Sequence, residues 1–220
     1  MYIGRTPTPA PLTSSDIADS IITDAKIVGM TSSKLSGALP AISGASLTGL
    51  ATDFVSLSSQ TASGVADVDF EGLFTDTYKS YMLLGIDVVM GTDNNYIAFR
   101  IKRDGQSSYD NSSNEYKYIG DRFRQGADLP SKVEETAGSV MRTRLNGDDT
   151  QSHCFRAFIF PRNSNHEFKM FMNCVGDNTS NQLQYDMNVM CRKTNAAVQS
   201  LKVLSTSGNI SGTFKLYGMK

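Results

Sequence analysis

From Phe54 onward apolar and polar side chains alternate in short windows, and a period of two marks strands that bury one face. Residues 96–102 (Tyr-Ile-Ala-Phe-Arg-Ile-Lys) carry the pattern most clearly. Residues 54–58 and 65–70 open this part of the chain, and 81–90 form a more continuous apolar run that predicts a deeply buried strand. Further strands are expected at 116–119, 139–145, 154–160, 168–175, 184–191, 198–204 and 211–216. Turn formers separate them at 91–95, Asp104-Gly105, 146–149 and 207–209. Residues 121–135, with Arg122, Arg124, Asp128 and Pro130, read as a long loop or short helix, and 162–166 as a hairpin turn. Many short strands without a long amphipathic helix predict an all-β fold, an antiparallel β-sandwich whose strand count and length suit a jelly roll.

Residues 1–52 follow a different pattern. Tyr2 is their only aromatic residue, and Pro7, Pro9 and Pro11 alternate along a run that favours extended, polyproline-like chain. Single apolar positions follow at Ile17, Ile22, Ile27, Met30, Leu35, Leu39, Ile42, Leu47 and Leu50, spaced by small polar residues. Thr23-Asp24-Ala25-Lys26-Ile27 and Thr31-Ser32-Ser33-Lys34-Leu35 match at a spacing of eight residues, and glycines at 29, 37, 44 and 49 oppose one continuous helix. So thin an apolar ribbon has no core of its own. Three identical chains around a common axis would cover it, as would a partner surface. The alternative is a Ser/Thr/Gly-rich tether without fixed structure. The chain thus divides into an extended arm, 1–52, and a sandwich domain, 53–220.

Composition narrows the partners. A formal net charge of -1 gives no electrostatic reason to expect nucleic acid. No apolar run reaches the ~18 residues of a membrane-spanning helix, and the first residues lack the apolar segment of a secretory leader. Cys154, Cys174 and Cys191 form no C-x-x-C pair and lie in apolar, strand-like surroundings, so all three are expected as buried reduced thiols.

The run 39–50 (Leu-Pro-Ala-Ile-Ser-Gly-Ala-Ser-Leu-Thr-Gly-Leu) resembles a segment of tail-fibre proteins of tailed bacteriophages, and the Thr-x-x-Lys-Ile/Leu units before it resemble the repeats of their stems. Residues 207–218 resemble the closing strand of their β-sandwich heads, and 74–81 the start of the first long strand pair. The family is that of short tail fibres and head fibres, which are virion structural proteins. The resemblance implies a homotrimer assembled in the host cytoplasm and carried in the virion. It further implies an N-terminal anchor on tail or capsid proteins, a globular distal domain that binds a host-surface glycan or protein, and no catalytic signature or cofactor. The attachment and trimerisation positions would be Pro7, Pro9, Pro11, Ile17, Ile22, Ile27, Leu35, Leu39, Ile42, Leu47 and Leu50. A capsid cement or decoration protein is the first alternative, and a glycan-cleaving depolymerase the second.

Little catalytic chemistry is legible. His153 neighbours Cys154, but adjacent residues of a strand point to opposite faces, so a Cys-His pair is not expected and both His153 and His166 read as surface residues. Asp148-Asp149 and Glu134-Glu135 are adjacent carboxylates expected in loops, and a glycosidase needs two carboxylates facing each other across a cleft. The histidines are too few and too scattered for a His-based metal site. Arg100, Lys102 and Arg103 are expected to protect an edge strand. Tyr109, Asp110, Asn111, Asn114 and Tyr116 remain as candidate receptor contacts, because tyrosines among amide and carboxylate groups suit glycans or protein.

Overall fold

The computed structural model describes residues 53–127, 130–143, 151–160, 163–178 and 180–220. The arm, with Pro7, Pro9, Pro11, Ile17, Ile22, Ile27, Leu35, Leu39, Ile42, Leu47 and Leu50, lies outside the described residues, as do Asp148 and Asp149.

Strands dominate the described chain: β1 (Phe54–Val65), β2 (Asp67–Phe70), β3 (Ser80–Met90), β4 (Ile97–Arg103), β5 (Tyr116–Arg124) and β6 (Ser131–Gly138). After them come β7 (Met141–Arg142), β8 (His153–Ile159), β9 (Asn163–Asp177), β10 (Leu183–Ala196), β11 (Val198–Ser205) and β12 (Ile210–Met219). They form an eight-stranded sheet in the order β1-β12-β3-β8-β9-β10-β5-β6 and a four-stranded sheet in the order β2-β11-β4-β7. The pairings between neighbours are antiparallel. The two sheets share one hydrophobic core, a β-sandwich.

The alternation read from the sequence is what fills that core. On the large sheet Tyr81, Leu83, Phe155, Ala157, Ile159, Met170, Met172, Phe214 and Leu216 point inward, and from the small sheet Val68, Phe70, Ile97, Phe99, Ile101, Leu201 and Val203 meet them. Aromatic rings interlock at its centre, where Phe155 meets Phe99 edge to face at 5.7 Å between ring centroids. Gly85 makes this possible, because a Cβ there would run into the Phe155 ring. Beside it β3 carries a bulge between Gly85 and Val88, where Asp87 takes a positive φ of 51°.

Five expectations are corrected. Within 121–135, residues 121–124 end β5 and 131–135 begin β6, because Lys132 and Glu134 tolerate an edge strand that has one neighbour. Glu134 and Glu135 accordingly sit on that strand and not in a loop. The turn before β9 ends earlier than expected, since Asn163 already belongs to the strand. His153 is fully buried, not a surface residue, and Cys154 is exposed, whereas Cys174 and Cys191 are buried as expected.

Candidate interaction surface

The pattern of burial inverts on β10. Gln184, Asp186, Asn188, Met190 and Arg192 face inward, so four of these five inner positions are polar or charged. Leu183, Tyr185 and Val189 face outward and are exposed, with Met187 half-buried between them. A sheet with one face in water normally carries the opposite arrangement.

The register extends this inversion across the sheet. Ile119, Val189, Phe171, Phe158 and Met82 stand opposite one another on β5, β10, β9, β8 and β3, an apolar row five strands wide on the outer face. Two registers along, Phe123, Tyr185, Val175 and Cys154 form a second row. The Phe123 and Tyr185 rings lie 6.1 Å apart. Between the rows runs a more polar one, with Asn173 donating to the Tyr185 hydroxyl at 2.5 Å and the Arg156 guanidinium 6.0 Å from the Phe158 ring. Leu84, Ile86, Cys154, Val175 and Tyr185 line a shallow apolar cleft of about 400 Å³ at the β3 side. The five-strand row crosses roughly 20 Å at ~4.8 Å per strand.

The inner polar residues depend on two glycines. A Cβ on Gly176 would strike the His153 ring, and one on Gly120 would lie 2.5 Å from the Met187 carbonyl and against the Asn188 amide. Asn188 donates to Asp186 at 2.7 Å, whereas both amide atoms of buried Gln184 lack a hydrogen-bond partner among the described residues. Sequence reasoning found β10 as a strand but not the inversion, although the alternation Gln184-Tyr185-Asp186-Met187-Asn188-Val189 is open to view.

Comparison with protein-family models, with curated proteins and with solved structures finds no match to this chain.

The candidate receptor contacts do not form one patch. Asp110 and Tyr116 are buried, so both are corrected from surface contacts to parts of the interior. Asp110 accepts from Arg192 Nε at 2.7 Å and from Arg103 at 3.2 Å, while Arg192 also reaches Glu115 at 2.9 Å. The Tyr116 hydroxyl accepts from the Ile101 amide and donates to the Asp110 carbonyl, each at 3.0 Å, which ties β5 to β4 across the sandwich. Asn111 and Asn114 are exposed, and Asn114, at a positive φ of 74°, accepts from Lys193. Tyr109 is half-buried on a different face.

That face is the outside of the small sheet, and the sequence reading overlooked it. Asp67, Asp69 and Glu71 alternate along and just beyond β2. Lys202 meets Asp67 at 2.8 Å and Asp69 at 3.5 Å, Lys102 meets Glu71, and Lys202 lies 4.6 Å from the centre of the Tyr109 ring. The Lys102 hydrogen bond holds the Glu71 carboxyl below its ordinary range, whereas burial pushes Asp69 up against the pull of Lys202. Burial and the nearby carboxylates also raise the Tyr109 hydroxyl. Each carboxylate has a lysine beside it, Lys202 being shared by Asp67 and Asp69, so the cluster is a paired surface network. Among the described residues no group of three His, Cys, Asp or Glu side chains has the geometry of a metal site.

Proposed function

We propose that this chain is a structural protein of a bacteriophage particle, a short homotrimeric fibre on the tail or head that contributes to host adhesion. The arm, residues 1–52, attaches it to tail or capsid proteins and helps join the three chains. The sandwich domain is the distal part. The observation that carries the reading is the outward apolar face of the large sheet, where rows of Ile119, Val189, Phe171 and Phe123, Tyr185, Val175 stand where a solitary sandwich would present polar residues. Surfaces of this kind belong to proteins that work as assemblies.

Strand order supports the same reading. The hairpins β5–β6 and β9–β10 extend one end of the large sheet. Without them eight strands remain, β1-β12-β3-β8 against β2-β11-β4-β7, and the chain crosses between the sheets at nearly every step. That is the order of a jelly roll, an architecture common in capsid and lectin domains. Fold alone does not assign function. Adhesion through repeated weak contacts gains from three copies, which convert later contacts into intramolecular ones.

The test is to purify particles that carry this chain with a small C-terminal tag and to image the bound label. A few dozen copies at the tail or at discrete head positions are the expected result. Hundreds of copies spread over the shell would make it a decoration protein, and absence from the particle would defeat the proposal.

A further inference from the structure

We infer that the outer face of the large sheet, from β3 across to β5, is the surface on which copies of this chain meet, turned toward the symmetry axis of the oligomer. The inference rests on the proposed homotrimer and deepens it, because it assigns contact to the sandwich domain and not to the arm alone.

Three features of the face select a second copy as its occupant. The two apolar rows and the more polar row between them extend over on the order of 500 Å² in projection, from five strands at ~4.8 Å and three same-face positions at ~6.8 Å along each. That is more than half of the roughly 800 Å² that each partner contributes to a standard stable interface. Secondly, two pairs at its rim balance within the chain, Lys117 with Glu167 at 3.0 Å and Lys132 with Glu134 at 3.5 Å, and the row between the apolar ones carries exposed Asp121 and Arg156, one of each sign. Such a rim neither requires a partner of opposite charge nor repels an identical neighbour. The two main apolar rows contain no charged side chain, so residues meeting their own copies at an axis are not like charges. Thirdly, pairing through the β6 edge, the one beside this face, is disfavoured by Lys132, Glu134 and Glu135 along it.

Cys154 reports on this face. Its thiol is exposed on the isolated chain and stands in the second apolar row beside Val175. The experiment uses the full-length chain and follows Cys154 alkylation by iodoacetamide with mass spectrometry, alongside the mass in solution by light scattering. Dilution of the unaltered protein to the point of dissociation should speed Cys154 labelling by roughly tenfold or more as the face opens. The pair Ile119→Lys and Val189→Lys, at positions 44% and 47% exposed, should reduce the mass to that of one chain and leave Cys154 quickly labelled at all concentrations. Asn111→Lys, at an exposed loop position outside the two rows, should change neither readout. Fast labelling of Cys154 in the intact oligomer would overturn the inference, and so would an oligomer unchanged in mass and protection by the paired lysines. Either result leaves the virion reading to be judged by particle imaging. The dilution experiment stands even if the paired variant fails to fold.

Discussion

Asp110 shows how much of the domain is fixed by single polar side chains. Its carboxylate is buried between Arg192 and Arg103, and its backbone carbonyl receives the Tyr116 hydroxyl. Asp110→Ala would leave the Arg192 guanidinium buried with Glu115 as its remaining carboxylate, so a loss of about 3 kcal/mol is expected in urea unfolding. A loss under 1 kcal/mol would place the pair at the surface. Gly176→Ala should cost about 1–3 kcal/mol, because the new methyl group drives against the His153 ring. Asp69 gives a pH dependence of known sign. Burial raises its folded pKa above 3.8, so folding is favoured below that value and the contribution is lost as pH rises through the raised one. Asp69→Asn should therefore be neutral or stabilising at pH 7, with any gain fading as the pH falls toward 4. Melting temperatures measured across that range would decide it, and a variant destabilised at neutral pH would show that the Lys202 pairing outweighs burial.

Among the elements, β10 governs the account. Its inner face keeps Gln184 buried with neither amide atom bonded among the described residues. A buried amide in that state costs roughly 1–3 kcal/mol relative to an apolar group of similar shape. Gln184→Met should hold or raise stability by about 1 kcal/mol, and a clear loss in equilibrium unfolding would show that the amide is satisfied by ordered water. The strands themselves were largely legible: the windows at 81–90, 96–102, 154–160 and 198–204 reappear as β3, β4, β8 and β11. They were legible because their inward residues are large and apolar. β6 was not, because Lys132 and Glu134 occupy exposed positions on an edge strand, where the alternation loses its apolar half. Nor was His153 recognisable as an interior residue, since its room comes from Gly176, which joins it only through strand pairing. The candidate receptor patch failed for a related reason. Asp110 and Asn111 adjoin in sequence, yet the first is buried and the second exposed.

For the whole molecule, the described chain holds two sheets around one core and an outer face whose polarity runs opposite to that of an ordinary sandwich. The charged side of the small sheet provides a comparison, because Lys102, Lys202 and the carboxylates of Asp67, Asp69 and Glu71 make it a water-facing surface. The large sheet presents Leu183, Tyr185, Val189, Ile119 and Phe123 on the corresponding side. On the proposed reading, two outer faces of such different character have different surroundings, solvent for one and a sister chain for the other. The mass of the unaltered full-length chain in solution tests this most directly, measured by light scattering at tens of micromolar and on dilution. The account predicts a species of three chains that dissociates only when dilute. A stable single chain across the whole range would contradict it.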